Sequence, residues 1–178
     1  MEIVFETHST SFDNEAGVAS GHSDVDLSPR GEREAAALGA RRRAEAIEIV
    51  YASDLRRSWR TAEIAFATSG VEIVRDSRLR ECDYGLLTGR PVAEIAALRG
   101  RAVEEPFPGG ESYTQVVARM IPWLEEIRSR REQRLLVIGH RATHYTLEHL
   151  SLGTPLAEVI RKPFAWQPGW SYQYPARI

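Results

Sequence analysis

Lysine is almost missing from this chain. Lys162 is the only one, and arginine carries nearly all of the positive charge. Lys and Arg together number 23 against 25 Asp and Glu, for a formal charge of −2, so composition gives no reason to expect nucleic acid or an anionic membrane as a partner. Cysteine is reduced to Cys82, which excludes an internal disulfide and points to a reducing, cytoplasmic setting. No apolar run reaches the ~18 residues that span a bilayer, and no basic-then-apolar leader opens the sequence. Internal repeats and low-complexity linkers are also missing. The 178 residues, 43% hydrophobic, therefore read as a single domain over 1–178 with enough apolar mass for a real core.

What is present alternates between strand and helix patterns. An apolar stretch at about 2–7 is followed by a polar, glycine-containing loop from Ser9 to Pro29. Ser28 and Pro29 have the chemistry of an N-cap and first helical residue, opening a helix to about Arg43. A strand is expected over 47–52, and a helix capped at Ser53-Asp54-Leu55 runs to about Gly70. A third strand is expected over 71–75, followed by an irregular polar segment from Leu79 to Gly89. A short helix from Pro91 to Leu98 precedes the rigid turn Pro106–Gly110. A long helix over 112–131 follows, with Val116, Val117, Met120, Ile121, Leu124 and Ile127 on its buried stripe and Pro122 as a kink point. A strand at 134–139, a helix at 142–152 and a last strand after Pro168-Gly169 end the pattern. This order predicts a three-layer α/β/α sandwich around a mostly parallel sheet.

The chemistry-bearing residues cluster at strand ends. His8 follows the first strand and His140 the late one. Ligands of open α/β sheets bind outside the carboxyl ends of the strands, so if these two strands are parallel neighbours the imidazoles share one crevice. Arg56 and Arg57 open the helix after the second strand, where free N–H groups already favour an anion and an arginine adds a bidentate fork. Being adjacent, only one of them can face the cleft. Glu81 and Asp83, after the third strand, are candidate proton donors. His140 and His144 have the spacing of a metalloprotease helix, with Glu148 and His149 one turn on. The motif's glutamate is missing and Arg141 would repel a cation, so no metal and no cofactor are expected.

Taken together, the set resembles the histidine phosphatase superfamily, with its phosphoglycerate-mutase-like fold. The matching stretches are Thr7-His8-Ser9-Thr10-Ser11 with Asn14, and Ser53-Asp54-Leu55-Arg56-Arg57-Ser58-Trp59-Arg60-Thr61-Ala62. Further on come Leu79-Arg80-Glu81 with Gly85 and Gly89, Gly109-Gly110-Glu111-Ser112, and Ile138-Gly139-His140. The resemblance implies that His8 attacks phosphorus, that Arg57 and His140 hold phosphoryl oxygens, and that Glu81 protonates the leaving group. Its register selects Arg57 over Arg56, and Asn14 falls among the implied phosphate contacts. It departs from the family pattern at Thr7, Ser9 and Thr10, which stand where arginine, glycine and an acidic residue are usual. Losing the arginine's contact to a transferring phosphoryl group costs ~2–4 kcal/mol. Arg141 is expected to restore that cation, while Thr7 offers one neutral hydrogen bond.

The implied activity is metal-independent hydrolysis of a small phosphorylated metabolite. The compact chain favours hydrolysis over a mutase-like phosphotransfer. A binding or regulatory module of the same fold, and a repurposed reaction in the same pocket, are the alternatives. Arg90, Arg101 and the aromatic tail (Trp166, Trp170, Tyr172) are candidates for the selectivity side, although such aromatics more often belong to a core or an interface, and the tail also offers a surface for a homodimer.

Overall fold

The computed structural model describes residues 1–174. Glu2–Thr7 forms β1, followed by a short helix α1 (Phe12–Ala16), α2 (Pro29–Arg42), β2 (Ile49–Ala52), α3 (Arg56–Phe66) and β3 (Glu72–Arg75). Two 3₁₀ turns, Ser77–Leu79 and Gly85–Leu87, lead to α4 (Val92–Leu98) and α5 (Tyr113–Ile127). Then come β4 (Arg134–Gly139), α6 (Arg141–Leu152), α7 (Leu156–Arg161) and β5 (Trp170–Gln173).

The five strands lie in the order β3-β2-β4-β1-β5. The first four are parallel, and β5 closes the β1 edge antiparallel. Alternation along each strand gives the sheet two apolar faces. Ile3, Phe5, Ile49, Tyr51, Leu135 and Val137 meet Met120, Trp123, Leu124 and Ile127 of α5 and Tyr145 and Leu147 of α6. Val4, Val50, Ala52, Leu136 and Ile138 meet Leu38 of α2 and Ala62 and Phe66 of α3. Each such large aliphatic side chain contributes roughly 1.5–3 kcal/mol when fully buried, and this is what fixes the layering. The expected α/β/α sandwich is the observed one.

Several local expectations change. The loop after β1 contains α1, started by a capping box between Ser11 and Asn14 that a short polar segment does not advertise. β2 begins at Ile49, because the Ile47 N–H turns back to the Glu45 carbonyl. α3 has Leu55 at its N-cap with no side-chain cap, since the Ser53 hydroxyl accepts the Leu55 N–H and Asp54 pairs with Arg80. α5 continues through Pro122 and ends at Ile127, with Ile121 43% exposed and Trp123 fully buried on the stripe instead. α7 was not expected. It starts after Pro155 and buries Val159 and Ile160.

The start of α2 braces the segment after His8. The Ser28 N–H donates to the Thr10 carbonyl (3.0 Å) and the Ser28 hydroxyl accepts the Gly31 N–H (3.2 Å). Gly31 lies so close that a Cβ there would overlap the Thr10 carbonyl. Gly31→Ala is expected to destabilise the fold by ~1–3 kcal/mol in urea unfolding, as overpacking does; an unchanged midpoint would show that the segment yields freely.

Candidate active site

The parallel pairing of β1 with β4 sets Thr7 opposite Gly139, so both chains leave the sheet at the next residue, a histidine in each case. The His8 N–H donates to the Gly139 carbonyl at 2.9 Å, locking the two exits together. The His8 and His140 rings lie 5.0 Å apart, centroid to centroid, tilted by 57°. They line one pocket of about 180 Å³ together with Thr7, Arg57, Glu81 and Arg141. The pocket thus brings together His8, His140 and Glu81 of the strand-end reading with Arg57, Thr7 and Arg141, which the family resemblance singled out. Asn14 is elsewhere: its Oδ1 accepts the Ser11 N–H and hydroxyl, so its side chain serves α1.

His8 has a defined tautomer. Its Nδ1 lies 2.8 Å from the Ser9 carbonyl, which can only accept, so Nδ1 carries the proton and Nε2 the lone pair. The Ser9 N–H in turn donates to the Thr61 hydroxyl (3.0 Å), which donates to the Arg57 carbonyl (2.7 Å). One turn of α3 thus connects the arginine to the histidine's backbone, which gives the Arg57–Thr61 spacing a physical purpose. Burial, and then the charge of Arg57, lower the His8 pKa from 6.5 to about 3, so the ring is neutral at pH 7. His140 is 1% exposed and neither ring nitrogen has a hydrogen-bond partner among the described residues. Burial, followed by Arg57 and His8, holds its pKa well below 6.5. A buried imidazole without partners is costly, and an anion in the pocket would accept its one N–H.

Arg57 is 2% exposed and donates to the Ser23 and Gly21 carbonyls, both at 2.8 Å. These bonds orient the guanidinium and leave further N–H groups for an anion. Burial lowers its pKa, and Glu81 acts in the opposite direction. Arg56 instead faces Asp24 and Asp26 on the surface, which resolves the choice between the two arginines. Oε1 of Glu81 accepts the Cys82 N–H (2.8 Å) and the Ala142 N–H at the amino end of α6 (3.2 Å). Among the described residues no hydrogen bond engages Oε2. Asp83 accepts the Gly85 N–H and does not line the pocket. The Glu81 carbonyl is held by Arg119, which also reaches the Arg78 and Arg80 carbonyls and pairs with Glu111. Arg141, at the first turn of α6, lies over the Phe164 ring at 4.7 Å.

The selectivity side differs from expectation. Arg90 pairs with Glu94 and Arg101 with Glu105, both exposed and outside the pocket. The residue that does enter is Arg99. Val92 and Ile95 of α4 and Arg99, just after its last residue, recur at helical spacing and face the pocket, a 3–4 pattern that the sequence contains. Trp170 and Tyr172 pack inward on His144, whose Nδ1 lies 2.7 Å from the Tyr172 hydroxyl, and Phe164 is the tail aromatic at the pocket. His149 bonds to the Thr154 carbonyl. Among the described residues no three His, Cys, Asp or Glu side chains converge in a metal-binding arrangement, and no helix is long and apolar enough to cross a membrane. A second cavity of about 430 Å³ opens beside His8 towards α2. Its charged groups are already matched, Arg41 with Glu6 and Arg30 with Glu34, and Glu34 also accepts from Thr10.

Comparison with known proteins places this geometry. The sequence profile of the histidine phosphatase superfamily (branch 1) matches residues 3–166, and the chain belongs to that superfamily. Phosphoserine phosphatase 1 of Hydrogenobacter thermophilus is 33% identical over 168 residues, 89% of this chain and 79% of that protein. A protein of Erwinia tasmaniensis named "Probable phosphoglycerate mutase GpmB" is 34% identical over 164 residues, 87% of this chain and 76% of that one. Among solved structures, a mycobacterial glucosyl-3-phosphoglycerate phosphatase complexed with VO3 superposes with a TM-score of 0.81 at 27% identity, covering 89% of this chain and 85% of the other.

The neutral imidazoles have a consequence for stability. The folded state holds His8 and His140 below the ordinary value of 6.5, so unfolding takes up protons once the pH drops beneath it. The His8 contribution is complete above 6.5 and is lost as the pH falls towards about 3, and that of His140 changes in the same direction. Lowering the pH from about 7.5 to about 5 is expected to reduce the urea midpoint of the wild-type protein more than that of His8→Asn. Equal losses would show that His8 is not held neutral.

Proposed function

We propose that the protein is a metal-independent phosphatase that hydrolyses a small phosphomonoester through a phosphohistidine on His8. The observation that carries this reading is the His8 ring itself. It is neutral, its proton is fixed on Nδ1 by the Ser9 carbonyl, and Nε2 shares a pocket with Arg57, His140 and Glu81. A nucleophile oriented before the substrate arrives and cations set where charge develops are what phosphoryl transfer needs.

In this scheme Nε2 of His8 attacks phosphorus, a P–N bond forms and the P–O bond to the ester breaks. Glu81, acting as the acid through Oε2, gives its proton to the departing alkoxide. The same carboxylate then takes a proton from water, whose oxygen attacks phosphorus and breaks the P–N bond, releasing phosphate and neutral His8. Arg57 donates to the phosphoryl oxygens, and His140 donates one ring N–H to them, since a neutral imidazole has one to give. Arg141 supplies the positive charge that Thr7 cannot, with Thr7 donating its hydroxyl. Hydrolysis rather than transfer is supported by the compact chain of 178 residues and the short 82–110 region, whose one α-helix has 7 residues. The buried free thiol of Cys82 supports a cytoplasmic setting.

Release of the aryl alcohol from a generic aryl phosphate is expected to persist in the presence of a chelator and to be abolished in His8→Ala. Chelator-sensitive turnover, or turnover retained without His8, would overturn the reading. Arg141→Ala is expected to lower kcat/KM by about a hundredfold or more, as loss of a transition-state cation does, with little change in thermal midpoint. Unchanged kinetics would remove Arg141 from the phosphoryl site.

A further inference from the structure

The turn that holds Arg57 also touches the segment that carries Glu81. The Ser23 N–H donates to the Ser20 carbonyl (2.8 Å) and closes this turn, with Gly21 in a left-handed conformation (φ 48°). A Cβ at Gly21 would lie 3.1–3.2 Å from the Thr88 hydroxyl and the Tyr84 backbone nitrogen, so both the conformation and the fit call for glycine. The Gly21 and Ser23 carbonyls accept the two hydrogen bonds of Arg57, and His22 stands between them. Its Nε2 lies 2.8 Å from the Glu81 carbonyl, which can only accept, so Nε2 carries the proton and donates it. The nearest carboxylates, Asp83 at Nδ1 and Glu111 at Nε2, are 3.8 Å away and too far to hydrogen-bond. Three consecutive residues therefore grip the phosphoryl-binding arginine twice and the proton donor's backbone once.

The other long-range bonds of Glu81 do not relate it to Arg57. Arg119 on α5 reaches the same carbonyl (2.8 Å), and the Ala142 N–H of α6 reaches Oε1 (3.2 Å). Both helices cover one face of the sheet, whereas Arg57 belongs to α3 on the other. A small slip between the layers would change the reach from acid to phosphoryl group, and such a misplacement is expensive in rate. We infer that His22 is a positioning residue: it ties Glu81 to the turn that holds Arg57, so that the departing oxygen of the ester meets the Glu81 proton. His22 does not line the pocket, although Gly21 does, so it acts through the Glu81 main chain and touches no reacting atom. This inference rests on the phosphatase reading and adds a residue to its machinery.

Phenyl phosphate and 4-nitrophenyl phosphate have nearly the same shape, but only the phenyl ester needs a proton on its leaving oxygen at neutral pH. In His22→Asn, whose side-chain N–H falls an atom short of the Glu81 carbonyl, the phenyl-to-nitrophenyl ratio of kcat/KM is expected to drop by about tenfold, the value of one hydrogen bond. His22→Gln carries an N–H at the reach of Nε2 and is expected to restore the ratio to within about threefold of wild type. An unchanged ratio in His22→Asn would overturn the assignment. An equal loss on both esters, the mark of a loosened Arg57, would overturn it too, as would a ratio in His22→Gln as low as in His22→Asn. If the wild-type protein hydrolyses neither ester, the phosphatase reading is what fails. Crystal structures of wild type and His22→Asn then decide the tether by themselves: a longer Glu81–Arg57 separation in the variant supports it, and an unchanged one refutes it.

Discussion

Everything at this site depends on keeping two imidazoles neutral at the ends of adjacent parallel strands. The Thr7–Gly139 register sets the two exits side by side, and the hydrogen bond from the His8 N–H to the Gly139 carbonyl keeps them there. Burial of both rings, and after it the charge of Arg57 beside them, makes protonation costly, and that cost converts an ordinary histidine into a lone-pair donor at neutral pH. The same desolvation leaves His140 with unmet hydrogen bonds. Orientation of the proposed nucleophile and readiness for an anion are thus two results of one burial.

The rest of the site manages charge around that pair. Arg57 is held by backbone carbonyls rather than by a carboxylate, so its charge is not cancelled before a ligand arrives. Glu81 is the exception inside the pocket, held on one oxygen by two backbone N–H groups while its carbonyl is fixed by Arg119. Outside the pocket, arginines are mostly paired with acids, as Arg90 and Arg101 are. The difference between spent and unspent arginines separates the working cavity from its larger neighbour beside α2, where the ion pairs are closed.

Much of this was legible in the sequence, and the parts that were not have physical reasons. Apolar runs bounded by turn residues located β1 and β4, and the strand-then-histidine pattern at both ends located His8 and His140. Selecting Arg57 needed the family register, because adjacent arginines at a helix start look alike until the partners of Arg56, Asp24 and Asp26, are known to lie on the surface. Arg99 was overlooked in favour of Arg90 and Arg101, although its spacing from Val92 and Ile95 marks the inward side of α4. The i, i+4 acids at Glu94 and Glu105 were the signal that the other two arginines were already occupied. Asn14 was carried over with the family pattern, and α1 uses it as a cap. Tyr172 and Trp170 take the core alternative rather than the selectivity side, a choice the sequence leaves open because a strand at a sheet edge does not reveal which face covers His144.

The central claim, that His8 is the nucleophile, is tested most directly by trapping the covalent intermediate. With an aryl phosphate whose leaving group departs without needing a proton, Glu81→Gln slows only the second step, so mixing it with an excess of that ester and quenching in alkali should preserve a phosphohistidine. The account predicts one phosphoryl group on the peptide containing His8, labile to acid and missing from the His8→Ala, Glu81→Gln double variant. A phosphoryl group on another residue, or hydrolysis by the Glu81→Gln enzyme with no phosphoprotein formed, would contradict it.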